Sequence, residues 1–142
     1  MPTLFSRIID GELPGRFVWK DEDVVVFLTI APLADGHVLV VPRQVVNRWT
    51  DASPELMHKL SSVAQTIGQA QIEAFSSARA GLIIAGFEVE HLHLHVWPSN
   101  SMAEYNFASV DNNPDSEKLD ASAEKLRKAL RAAGHGEFVP AS

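Results

Sequence analysis

The stretch EHLHLHVWP, Glu90 to Pro98, places three histidines in five positions, and the whole chain has only six. His91, His93 and His95 alternate with Leu92, Leu94 and Val96. A period of two predicts a β-strand, in which residues i, i+2 and i+4 share one face. The three imidazoles then point the same way, about 6.5–7 Å from one to the next. The aliphatic set takes the core face and fixes the register, since a slip of one residue would bury the imidazoles. Pro98 is read as the end of the strand.

Working outward, AGLIIAGF (80–87) reads as a second strand, close enough to pair with the first. KDEDVVVFLTI (20–30) is a charged turn followed by a strand rich in β-branched residues. PLADG is a turn, and HVLVVP (37–42) is a strand stopped by Pro42. The short link between these two predicts antiparallel pairing. Ser53-Pro54 is a helix start, with a capping hydroxyl and then proline at the first helical position. Leu56, Leu60, Val63, Ile67 and Ala70 continue it as one apolar face, with an end near Phe75. Residues 99–114 read as an extended loop. A last helix runs roughly from Asp115 to Ala133, with Leu119, Ala123, Leu126 and Leu130 on its stripe and Gly134 as its stop. Strands, helix, strands, helix imply a single α+β domain with an antiparallel sheet.

Composition narrows the function. The 142 residues are 46% hydrophobic, enough for one well-formed core. A net charge of −6, from 12 basic and 18 acidic side chains, opposes binding to a nucleic-acid polymer. It does not oppose one bound nucleotide, because a local pocket can override the overall field. There are no cysteines, so disulfides and thiolate-bound metals are excluded. The first residues lack the apolar core of a signal peptide, and no run is long enough to span a membrane. A cytoplasmic protein is expected.

The histidine face has three readings. It could be a solvated polar face, for which histidine is a middling choice. It could hold catalytic zinc, although three ligands along one straight strand converge poorly on a single ion. It could do covalent chemistry at phosphorus. An anionic phosphate repels a carboxylate nucleophile, whereas a neutral imidazole is nucleophilic near pH 7 and is not repelled.

HLHLHVW resembles, at every position, the signature of the histidine triad (HIT) family of nucleotide hydrolases and transferases. FLTIAPLADGHVLVVPR (27–43) is similar to the family's upstream segment, with His37 at the place of its fourth histidine. TLFSRIIDGELPGRFVWKDEDVVVF (3–27) is similar to its N-terminal segment. The likeness covers residues 3–98, with a less diagnostic loop and helix at 99–142. It implies the HIT-like fold, with about five strands, one central helix and one C-terminal helix.

The resemblance also implies roles. His93 would attack the α-phosphorus of a purine nucleotide conjugate, forming a nucleotidyl-histidine that water hydrolyses. His95 would contact the phosphate and the leaving atom, while His91 would support the hydrogen bonding together with His37. Some acceptor must hold the proton of His93 away from the attacking nitrogen, and the resemblance implies a backbone carbonyl, which the sequence does not name. Leu4, Phe5, Phe27 and Ile30 map to the base pocket, and they read equally well as plain core. No cofactor is implied. A homodimer with joined sheets is expected.

Departures from the family pattern stand beside these roles. Thr3 and Ser6 replace a Cys-x-x-Cys pair and Val45 replaces a histidine, so structural zinc is not expected. Thr29 stands where an aspartate grips the ribose, and Phe87-Glu88 stands where polar residues assist the leaving group. Glu88 would act as an acid only with a raised pKa, and it reads also as a solvated strand residue. Two other functions fit these losses: a non-catalytic nucleotide-binding regulatory module, and a zinc-dependent hydrolase using the triad as ligands.

Overall fold

A computed structural model of the chain describes residues 2–142. Five antiparallel strands form one sheet: β1 (Phe17–Lys20), β2 (Val24–Leu28), β3 (Val38–Pro42), β4 (Arg79–Ile83) and β5 (Leu94–Ser99). Their order across the sheet is β1-β2-β3-β5-β4. The helices are α1 (Leu4–Ile9), α2 (Pro54–Phe75) and α3 (Ser116–Ala132). No helix among the described residues is long and apolar enough to cross a membrane.

Strand alternation divides the apolar residues into two cores. Val24, Val26, Val38, Val40, Leu94 and Val96 face α2 and α3, meeting Leu60, Val63, Ile67, Leu126 and Leu130. Their neighbours Val25, Phe27, Leu39 and Val41 take the opposite face with Phe5 and Phe17. That second face carries the histidines.

The helices begin as their sequences imply. Ser53 Oγ accepts from the Leu56 N–H at 3.1 Å, and Pro54 follows it into α2, which ends at Phe75. Asp115 caps α3 through the Glu117 N–H, and Gly134 beyond its end has φ +94°. α1 was not foreseen. A reciprocal capping box holds it: Thr3 Oγ1 accepts from Ser6 N–H at 3.0 Å, and Ser6 Oγ accepts from Thr3 N–H at 2.6 Å. β1, only four residues long and bulged against β2, was not foreseen as a separate strand either.

The histidine stretch departs from the reading of one regular strand. β5 starts only at Leu94, and residues 87–91 are a series of bends. β4 stops at Ile83, so Ile84 to Phe87 leave the sheet. Pro98 does not end β5, which runs on to Ser99. β3 pairs with β5 only as far as Val96, so Pro98 faces no strand on that flank that would require its missing N–H.

Two interactions fix the start of β3 and hence His37. Gly36 has φ +90°, and a Cβ there would stand 2.6 Å from the Phe75 ring. Gln71, fully buried on α2, donates to the carbonyls of Gly36 and Val96, both at 2.9 Å.

Candidate active site

His93 is buried in the coil just before β5. Its Nδ1 lies 2.6 Å from the main-chain oxygen of His91. A carbonyl only accepts, so Nδ1 carries the proton and Nε2 of the neutral ring keeps its lone pair. Burial lowers the pKa of His93, and this outweighs the raising effects of the His91 carbonyl and the Glu88 charge. The Phe5 ring packs edge-on against the imidazole, centroids 4.8 Å apart.

His95, on β5, receives the opposite tautomer. The chain of bonds begins at the Leu33 N–H, which donates to His37 Nδ1 at 2.9 Å. His37 Nδ1 is therefore an acceptor, and the ring's proton sits on Nε2. That Nε2 is 3.0 Å from His95 Nδ1 and donates to it. His95 in turn accepts at Nδ1 and carries its own proton on Nε2. Burial pushes His37 down to about 3, with His95 nearby adding to the shift. Burial, followed by His93, pushes His95 down to about 4. Both rings are neutral at pH 7. The His93 and His95 rings stand 4.9 Å apart, so a lone pair and an N–H are presented side by side.

His91 does not join His37, contrary to the expectation from the resemblance. Its Nε2–H donates to the Pro42 carbonyl at 2.8 Å, and its Nδ1, 2.7 Å from Thr3 Oγ1, accepts from that hydroxyl. Fully buried, His91 pins the cap of α1 to the end of β3. It stays beside the Phe5 ring that also packs on His93, with centroids 5.9 Å apart, but its nitrogens are spent on Thr3 and Pro42. What it gives the site is its main-chain oxygen. Thr3, which holds His91, was missed as a contributor because it was read only as a departure from a cysteine motif.

The other expected site residues separate. Phe5 and Phe27 are buried and touch edge-on, 5.6 Å between centroids, as part of the second core. Leu4 and Ile30 are 50% and 74% exposed and line no shared core with them. Thr29 Oγ1 accepts from the Ala31 N–H at 3.1 Å, so it shapes the turn that leads to His37. Glu88 and Glu90 are exposed, and Glu88 lies on a bend, not in a strand.

The loop after β5 also reaches the site. Phe107 packs on His95 with centroids 4.7 Å apart. The Asp111 N–H donates to Pro32 O at 3.0 Å and ties this loop to the turn before His37. Sequence reasoning missed Phe107, whose only signal was an aromatic in a polar loop that also holds Tyr105. Tyr105 instead packs on buried Trp97, 4.8 Å between centroids.

At the place of the absent cysteine motif the donors do not fit a structural metal: both ring nitrogens of His91 are engaged in protein hydrogen bonds, and the Thr3 and Ser6 hydroxyls close the capping box. Among the described residues no group of three or more His, Cys, Asp or Glu side chains is placed to hold an ion.

Residues 10–102 match the family model for the HIT domain. An uncharacterised HIT-like protein of Mycobacterium tuberculosis is 31% identical over 138 residues, covering 92% of this chain and 94% of the other. Among solved structures, a zinc-bound histidine triad family protein from Mycobacterium smegmatis superposes with a TM-score of 0.80 at 28% identity. The match covers 94% of this chain and 96% of that one. A HIT family hydrolase from Legionella pneumophila gives a TM-score of 0.62 at 29% identity, covering 71% of this chain and 96% of the other.

Proposed function

The chain belongs to the HIT family, and from that premise we propose that it is a metal-independent hydrolase of purine nucleotide conjugates acting through a nucleotidyl-histidine. Its fold is the nucleotide-binding, hydrolase-like fold of that family. One observation carries the finer reading. Main-chain groups fix His93 and His95 in opposite tautomers, with an unprotonated Nε2 on the first and an N–H on the second.

His93 Nε2 attacks the α-phosphorus while the bond to the leaving group breaks, its electron pair going to the departing atom. The leaving group takes a proton from solvent. His95 Nε2–H donates a hydrogen bond to the oxygen or leaving atom that gains charge, with no loss of its proton. Transfer of the nucleotide makes the His93 ring cationic. The His91 carbonyl on Nδ1–H and the negative charge of Glu88 both favour that cation. Water then attacks phosphorus, releases the nucleoside monophosphate and returns a proton to solvent.

The test is release of adenosine monophosphate from an adenosine 5′-phosphoramidate, with acid quenching to trap a nucleotidyl adduct on His93. His93→Ala should lower kcat by a factor on the order of thousands. Undiminished activity in that variant would overturn the mechanism. Binding of purine nucleotides without turnover over a broad panel would select a regulatory binding module instead.

A homodimer formed through β4 completes the reading. β4 is one of the two edges of the sheet, with Leu82 exposed on it and Ile72 exposed on α2 across a cleft of about 880 Å³. An open edge offers unpaired N–H and C=O groups to the same strand of a second copy. A monomer in sedimentation at micromolar concentration would reject this arrangement.

A further inference from the structure

A cavity of about 390 Å³ lies beside His93, with Asn47, Arg48, Trp49, Ile84 and Phe87 among its walls. Two large aromatic side chains border it in the open: Trp49 is 51% exposed and Phe87 is 97% exposed. None of Leu4, Phe5, Phe27 and Ile30, the residues expected to face the nucleoside, lines it. His93 is the junction between that set, through Phe5, and this cavity. A substrate whose nucleoside lies on the Phe5 flank places what is beyond the α-phosphorus here.

The charges of the cavity select among leaving groups. Its one cationic wall residue among those described, Arg48, is already paired with Asp51 through contacts of 2.8 and 3.2 Å. Glu90 adds a negative charge to the lining. A second phosphate chain would need unpaired cations at this place. An uncharged or cationic planar group does not, and aromatic rings pack well on exposed Trp and Phe.

We propose that this cavity is the leaving-group subsite and that Trp49 and Phe87 select an amine carrying an aromatic ring, so that the bond cut is P–N. The proposal rests on nucleotidyl transfer to His93. Nε2 of His93 forms its bond to phosphorus as the P–N pair moves to nitrogen. Solvent protonates that nitrogen, the arylalkylamine leaves, and hydrolysis of the nucleotidyl-histidine returns the proton.

The experiment compares adenosine 5′-phosphoramidates of 2-phenylethylamine and of propylamine with a dinucleoside polyphosphate. The wild-type protein should prefer the phenylethyl compound over the propyl one by roughly tenfold in kcat/KM, and should cleave the polyphosphate more slowly than either. Trp49→Ala and Phe87→Ala should each pull the phenylethyl-to-propyl ratio toward one. An equal rate on both amides in the wild type, a ratio unchanged in both variants, or a parallel loss on both amides overturns the subsite. So does faster cleavage of the polyphosphate. Cleavage of none of the three overturns nucleotidyl transfer as well, which separates the two failures.

Discussion

His37 Nε2 stands 3.0 Å from His95 Nδ1, and the direction of that bond is set four residues upstream of His37, by the Leu33 N–H on His37 Nδ1. A main-chain donor thus decides, through two imidazoles, that His95 presents an N–H beside the free Nε2 of His93. Burial then keeps both rings neutral, at pKa values of about 3 and about 4.

His37 is accordingly a positioning residue. His37→Phe keeps a ring in the site but gives His95 Nδ1 no donor, so neither the Nε2–H tautomer nor the neutral form is enforced. The expected loss in kcat/KM is about 10- to 100-fold, the usual range for a residue that orients a site ligand. The acid limb of the pH profile should move upward, because the His95 imidazolium becomes accessible. His37→Gln, whose amide can donate, should recover part of the rate. A lower rate with an unmoved acid limb and no recovery in the glutamine variant would mean that His37 only fills space.

The same neutral histidines make the fold sensitive to acid. In the unfolded chain they titrate at their ordinary value of 6.5, whereas in the folded protein His37 and His95 titrate at about 3 and about 4. Between these values the unfolded state binds more protons, so stability rises with pH and falls on acidification. The loss begins as pH drops through 6.5 and amounts to about 1.4 kcal/mol per pH unit for each such histidine. His91 and His93, also lowered by burial, act in the same direction. Urea unfolding at steps between pH 7 and pH 4.5 should show a steadily falling midpoint. A flat or rising midpoint over that window would refute the argument.

Much of this site could be read from the sequence, and the part that could not has a common physical cause. The apolar spacing of α2 and α3 and their caps at Ser53 and Asp115 are local signals, and the structure follows them. The alternation from Leu92 to Val96 correctly put the aliphatic residues into the main core and His93 and His95 on the other face. The partners of His91 escaped because Thr3 and the Pro42 carbonyl lie far from it along the chain, and no spacing encodes those bonds. The acceptor for His93 is a main-chain carbonyl, as the resemblance implies, but which carbonyl it is could not be read, because it lies just outside the ladder. Phe107 meets His95 through a loop closed by one hydrogen bond to Pro32, a long-range contact that no spacing encodes.

Thr3 should matter for stability as much as any apolar residue of the second core. Its hydroxyl donates to fully buried His91 Nδ1 and accepts from the Ser6 N–H. Thr3→Val keeps the shape, removes both bonds and leaves a buried acceptor unpaired, at a cost of about 2–3 kcal/mol. Thr3→Ser retains the hydroxyl and should cost well under half of that. Urea unfolding of the two variants separates a hydrogen-bonding role from a packing role, since a larger loss in the serine variant than in the valine variant would assign the effect to the methyl.

Glu88 brings two opposed effects, and a split between kcat and KM tells them apart. Its charge favours the cationic form of His93, and nucleotidyl transfer makes that ring cationic. The same charge repels an incoming anionic phosphate. Glu88→Gln should therefore lower kcat and lower KM together, leaving kcat/KM nearly constant. Because Glu88 is exposed, solvent screens it, and each change should be only several-fold and should shrink with added salt. The acid limb of the kcat profile should move downward as His93 loses an electrostatic partner for its proton. A rise in kcat would mean that the carboxylate acts on the substrate alone, and a loss of several hundred-fold would make it a proton donor instead.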